Sequence, residues 1–157
     1  MARRLHAAAG VAGFLLIAVF WSATALSELF GSTQSIAAVK AAILWGMLAL
    51  VPALAGAGAS GMAMGRKRRD ASARAKMRRM PVIAFNGLLV LMPSAFFLAA
   101  RAEAGIFDVW FYGVQAIELV AGALNITLIG LNIRDGLAMT GRWELSRRRS
   151  APARRAG

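Results

Sequence analysis

The fold is decided by residues 66–100, which read RKRRDASARAKMRRMPVIAFNGLLVLMPSAFFLAA. Eight of the first fourteen residues are lysine or arginine, whereas residues 80–100 are almost entirely apolar. A helix of that apolar length rises about 30 Å, which is the thickness of the hydrocarbon core of a bilayer. Soluble domains interleave charged and apolar residues, so this abrupt change predicts a transmembrane helix that follows a basic loop at 66–79.

Three further apolar runs on either side of this stretch are also long enough to cross a bilayer. With 80–100 they predict an all-α integral membrane bundle of four transmembrane helices within residues 1–136. The four predicted spans are about 5–30, 36–64, 80–100 and 109–133.

Residues 137–157 form a basic tail in the sequence. Trp143 stands there among arginines, which is typical of a short helix in the headgroup layer. The end of the tail, at 150–157, is expected to be disordered.

The distribution of positive charge predicts the orientation of the bundle. The chain is 59% hydrophobic with a formal net charge of +12, and the only lysines or arginines outside residues 3–4, 66–79 and 134–155 are Lys40 and Arg101. The positive-inside rule then places both termini and the middle loop in the cytoplasm of a cell, with the protein in its inner membrane. The basic residues are expected to contact anionic lipid headgroups, and nucleic acid is not an expected partner.

The N-terminus allows a second interpretation, because residues 1–25 also resemble a secretory signal peptide that ends in small residues. Apolar character continues for about twenty residues, whereas a signal core has roughly 7 to 15. A retained first helix is therefore favoured, and cleavage stays an open alternative.

Composition limits the available chemistry. The sequence contains no cysteine and a single histidine, His6. Disulfides, thiolate metal sites, iron–sulfur clusters and thiol catalysis are thereby excluded. We expect no metal site, no cofactor and no enzymatic activity; haem b, with His6 as a ligand, is a weak alternative.

The fourth predicted span carries an unusual set of polar residues. Glu118 lies well inside an apolar run, where an unpaired ionised carboxylate is costly, so it should face protein or water. Gln115, Asn125 and Asn132 share its helical face, and Asn86 of the third span lies at a depth similar to that of Asn125. The two amides could therefore form a hydrogen bond between helices.

Two roles are open for these polar residues. They can hold helices together, as amides commonly do in membranes. Alternatively, Glu118, Gln115, Asn125 and Asn86 form a site for a proton, a cation or the polar part of a ligand.

Other features of the spans concern packing. Glu28 and Lys40 flank the first short connection and could form an interfacial ion pair. Small residues recur every four positions in the second span, at Ala53, Ala57, Gly61 and Gly65, which is typical of close helix packing within a bundle or a homo-oligomer. Pro52 and Pro93 predict kinks or, alternatively, a small cavity between the kinked helices.

These features predict a non-enzymatic multi-pass protein of the inner membrane, an accessory or scaffold subunit that associates with itself or with another membrane subunit. The first alternative is a small proton-linked transporter or ligand-binding membrane protein that uses Glu118. The second is a haem- or quinone-binding redox subunit. The layout resembles that of four-helix multidrug exporters and cytochrome b anchors, but the carboxylate is in the fourth span rather than the first and the spans lack several histidines, so no family is assigned.

Overall fold

Helices account for all regular structure in the computed structural model, which describes residues 2–65 and 71–139. The helices are α1 (Ala2–Phe30), α2 (Thr33–Gly65), α3 (Ala71–Asn86), a π-helical turn (Gly87–Leu91), α4 (Met92–Glu103) and α5 (Val109–Met139). α3, the π turn and α4 follow one another without a break and form the third span. Within these described ranges, four helical segments are long and apolar enough to cross a membrane, which confirms the predicted all-α transmembrane bundle.

The four spans form a ring of neighbours. α1 packs against α2 and α5, and the third span packs against the same two helices. Among the described residues, no close backbone contact joins α2 to α5 or α1 to the third span, so these are the diagonal pairs. We call the end with the connections at 31–32 and 104–108 the short-loop end, and the opposite end the basic end.

The first short connection is fixed by a glycine and a serine. A Cβ at Gly31 would lie 2.5 Å from the carbonyl oxygen of Ser27, so the backbone passes too close for any side chain. Ser32 then caps α2, because its hydroxyl accepts a hydrogen bond of 3.2 Å from the amide of Ser35 and its carbonyl accepts one from Ile36. This capping lets α2 begin after a connection of only two residues.

The second short connection also contains a glycine and a capping side chain. Gly105 has a φ of 69°, the left-handed conformation that commonly ends a helix. Asp108 caps α5 by accepting a hydrogen bond of 3.0 Å from the amide of Phe111 through Oδ1. Its other carboxylate oxygen accepts a hydrogen bond from Arg101, which ties α4 to the start of α5.

The predicted basic loop at 66–79 is wrong in its second half. α3 begins at Ala71, so Arg74, Lys76 and Arg79 lie on a helix. Alanine, methionine, lysine and arginine are strong helix formers, and long basic side chains can reach water from the end of a membrane helix. α5 likewise continues to Met139, so the first three residues of the predicted tail at 137–157 belong to this helix. The rest of the predicted interfacial helix and the predicted disordered end fall on residues 140–157, outside the described residues.

Proline affects the third span locally. Pro93 has no amide hydrogen, and the preceding turn widens so that the amide of Met92 donates to the carbonyl of Gly87, five residues earlier. α2, in contrast, stays helical through Pro52. A shallow groove on the outside of the bundle lies beside the π turn and is lined by Asn86, Ala116, Ile117, Val120, Ala121 and Leu124.

Large apolar side chains point outward from every span. Trp45 is 75% exposed and Val120 is 73% exposed. A soluble monomer rarely shows such continuous apolar surface, whereas a bilayer covers it. Other exposed apolar residues are Leu15, Val19, Leu48, Phe85, Leu89 and Ile117.

A close approach between α1 and α5 depends on glycine. Trp21 packs over Gly122, where a Cβ would lie 2.8 Å from the Cδ1 atom of the indole. The Nε1 of Trp21 donates a hydrogen bond of 2.8 Å to the carbonyl of Leu119, so the ring cannot move without losing that bond. Gly122 therefore sets the distance between the two helices at this level.

We predict that Gly122→Ala lowers the free energy of unfolding by about 1–3 kcal/mol, because the new methyl group pushes Trp21 away from the Leu119 carbonyl. Thermal unfolding in detergent, followed by tryptophan fluorescence, measures the effect. The matched control is Gly113→Ala on the same helix, where a Cβ would meet no atom within 4 Å. Equal stabilities of the two variants would contradict this packing.

Candidate functional site

The short-loop end contains a small apolar core that separates the interior from that end of the bundle. Leu98 and Phe111 are fully buried, and Ile36 and Ala102 are almost so. These residues bring together α2, α4 and α5. The ring of Phe107 packs edge-on against Phe111, with 4.9 Å between their centroids.

A buried ion pair lies directly beneath this core. Lys40 is one helical turn beyond Ile36, and its side chain is only 1% exposed. Its Nζ atom lies 2.5 Å from Oε2 of Glu118, whose side chain is 12% exposed. Because α2 and α5 are diagonal helices, the pair crosses the interior of the bundle.

Gln115 completes the hydrogen bonding of this carboxylate. Its Nε2 donates a hydrogen bond of 3.2 Å to Oε2 of Glu118, and the residue is 3% exposed. Gln115 stands one turn beyond Phe111, just as Lys40 stands one turn beyond Ile36. The apolar core and the polar pair are thus consecutive layers of the same two helices.

Glu28 lies beside the pair but is not its partner. The expected ion pair between Glu28 and Lys40 is not formed, because Lys40 reaches inward to Glu118. Lys40 is roughly 10 Å along α2 from its first residue, which is too deep for an interfacial pair. Glu28 is close enough to Lys40 and Glu118 for both charges to act on its carboxyl, and its Oε1 is buried without a hydrogen-bond partner.

The predicted bond between Asn86 and Asn125 is confirmed. The Nδ2 of Asn86 donates to Oδ1 of Asn125 at 2.9 Å and to the carbonyl of Ala121 at 2.8 Å. Asn125 is 1% exposed, and its own Nδ2 lies 3.5 Å from the carbonyl of Ile83. The amides therefore join the third span to α5, and a role for them in ligand binding stays a prediction.

A second pair of diagonal helices is joined at the basic end. Lys76 of α3 donates from Nζ to Nε2 of His6 on α1 at 3.2 Å. Nδ1 of His6 lies 2.9 Å from the hydroxyl of Ser60, which in turn donates to the carbonyl of Gly56. Both imidazole nitrogens are thus engaged by the protein, and the use of His6 as a haem ligand would require breaking one of these contacts.

The polar face of α5 continues to the basic end. NH1 of Arg79 lies 2.6 Å from Oδ2 of Asp135 and 3.4 Å from Oδ1 of Asn132. Arg134 also contacts Asp135, at 3.3 Å. The third span and α5 are therefore tied together by polar groups at the basic end and again at Asn86.

The structure separates the predicted site residues into two groups. Glu118 and Gln115 lie with Lys40 and Glu28. Asn125 lies two helical turns beyond Glu118 on α5, where it contacts Asn86 of α3. The pairing of Lys40 with Glu118 is not among the contacts predicted from the sequence. A signal for it existed, because Lys40 is the only charged residue in the second apolar run and a buried carboxylate needs a counter-charge.

Comparison with known proteins finds no match to this chain among protein-family models, curated proteins or solved structures. Its function has to be inferred from its own geometry. Within the described residues, no group of three or more histidine, aspartate or glutamate side chains is arranged to hold a metal ion.

We predict that Lys40→Met and Glu118→Leu each destabilise the protein by about 3–5 kcal/mol, because each leaves one buried charge unpaired. The double variant Lys40→Met/Glu118→Leu should lose much less than the sum of the two, since it removes both charges of the pair and leaves neither without its partner. Reversible unfolding of all four proteins in detergent measures the coupling.

The control for this cycle is Arg101→Gln. Arg101 also takes part in an ion pair, but its partner Asp108 is 41% exposed, so the loss should be at most about 1 kcal/mol. Additive effects of Lys40→Met and Glu118→Leu would show that the two side chains do not interact.

Proposed function

We propose that this protein is a non-enzymatic accessory or scaffold subunit of the inner membrane, with a polar interior that holds its four helices in a fixed arrangement. The observation that carries this proposal is that the polar side chains of the spans bond mainly to one another. Lys40 pairs with Glu118, Asn86 pairs with Asn125, and Arg79 pairs with Asp135.

Such an interior supports a structural role because each bond joins two different helices. Lipid provides no hydrophobic drive for helix association, so interhelical hydrogen bonds and close small-residue contacts determine the packing. The apolar residues on the outside of each span leave surface for lipid or for the helices of a partner subunit.

The charge distribution supports the proposed orientation in the inner membrane. Within the described residues, Arg74, Lys76, Arg78 and Arg79 lie at the basic end, as does Arg134. The short-loop end has Arg101, which is paired with a carboxylate. By the positive-inside rule the basic end is cytoplasmic, where these residues can contact anionic headgroups.

A second candidate function is a small proton-linked carrier or ligand-binding membrane protein. It is favoured by the buried charged cluster around Glu118, since ionisable residues inside membranes often mark ion pathways. In the described structure, however, the carboxylate of Glu118 is held by Lys40 and Gln115, which favours a fixed charge.

The double variant Lys40→Met/Glu118→Leu distinguishes the two functions. A scaffold should keep its wild-type assembly, because the variant retains a packed interior. Native mass spectrometry of protein extracted gently from its host membrane measures this, and the wild type is expected to exceed the mass of one chain.

The corresponding flux assay uses liposomes that contain a pH-sensitive dye. For a scaffold, the wild-type protein should add no proton flux to that of protein-free liposomes under an imposed pH gradient. Flux in the wild type that disappears in the double variant, while Arg101→Gln retains it, would establish the carrier and refute the scaffold.

A further inference from the structure

The cluster at the short-loop end has an unbalanced charge. Two carboxylates, Glu28 and Glu118, lie near one ammonium, Lys40. Of the helices packed against α1, α2 contributes Lys40 and α5 contributes Glu118 to this neighbourhood. With all three groups ionised the cluster would carry one net negative charge in a largely apolar surrounding, which is costly.

The surrounding residues make this cost substantial. Lys40 and Gln115 are almost completely buried, and on α1 the neighbouring Thr24 and Ser27 are 3% and 8% exposed. The apolar core at Phe111 lies between the pair and the short-loop surface. The carboxylate of Glu118 already has two partners, the ammonium of Lys40 and the side-chain amide of Gln115.

Two oxygen atoms of the cluster have no hydrogen-bond partner. They are Oε1 of Glu28 and Oε1 of Gln115, and both are buried. The amide of Gln115 is held at the site by its bond to Glu118, so its carbonyl oxygen is a fixed acceptor. Buried acceptors without a donor are rare in proteins, and carboxylate and amide oxygens are the ligands that protons and hard cations take.

Glu28 is also the member of the cluster nearest to the end of its helix. It lies two residues before the end of α1 and is only half-buried, whereas Lys40 and Gln115 are enclosed. A charge bound at Glu28 could therefore exchange with the solution at the short-loop end without any movement of the Lys40–Glu118 pair.

We propose that this cluster binds one exchangeable positive charge, a proton or a small alkali cation, at Glu28, with the carbonyl of Gln115 as a further oxygen ligand. Lys40 and Glu118 do not exchange it; they supply a neutral, fixed pair beside it. The proposal concerns binding only, so it holds for a scaffold as well as for a carrier, and its outcome is independent of the flux and assembly experiments.

Infrared difference spectroscopy on the full-length protein in lipid tests this site. We expect one buried carboxylic acid band that appears as the pH is lowered in buffers without alkali cations. The band should be absent in Glu28→Gln and present in the control Glu103→Gln, since Glu103 is exposed on α4. Equal thermal stability of the two variants at low pH would verify that Glu28→Gln is folded.

Addition of sodium or potassium distinguishes the two ligands. If the site holds a proton only, the band is unchanged by either salt; if it holds an alkali cation, the salt removes the band and raises the thermal stability of the wild type but not of Glu28→Gln. The proposal is overturned if the band survives in Glu28→Gln, or if the wild type shows neither a protonated carboxyl nor a stabilising effect of alkali cations.

Discussion

The arrangement of this bundle depends on the cost of leaving a charge unpaired within it. Lys40 and Glu118 are on diagonal helices, and their ion pair crosses the interior where backbones are too far apart to touch. Only a side chain as long as lysine can reach across such a distance. The pair therefore fixes the rotation of both α2 and α5, because turning either helix would expose one charge to the bilayer.

At the basic end, another lysine joins the second pair of diagonal helices, α1 and the third span. Lys76 reaches from α3 to His6 on α1, and the imidazole continues to Ser60 on α2. Neighbouring helices are joined by short amides, as in the bond between Asn86 and Asn125, and by longer side chains, as in the pair of Arg79 with Asp135. These polar contacts together specify which helix lies beside which, a role that apolar packing in lipid cannot fill alone.

The fold could be predicted from the sequence because the thickness of the bilayer sets the apolar length of each span independently of the other spans. Each span could be recognised from its own apolar length, and the bond between Asn86 and Asn125 followed from counting depth along two helices. The start of α3 at Ala71 could not be recognised from charge, since a basic segment is compatible with a loop and with a helix that extends into water. The partner of Glu118 could not be predicted without knowing which helices are diagonal, since Glu28 is much closer to Lys40 in sequence than Glu118 is.

The pairing of Lys40 with Glu118 also changes what the carboxylate can do. An isolated carboxyl in a membrane is a natural proton carrier because its neutral form is favoured there. Here the carboxylate of Glu118 has an ionic partner in Lys40, whereas Oε1 of the second carboxyl, Glu28, has no hydrogen-bond partner. Because Glu28 is nearer the end of its helix than Glu118 and has an unpartnered oxygen, the exchangeable charge belongs with Glu28 and the structural charge with Glu118. The cluster thus combines an ion pair that joins α2 to α5 with a carboxyl, Glu28, that can bind and release a positive charge at the short-loop end.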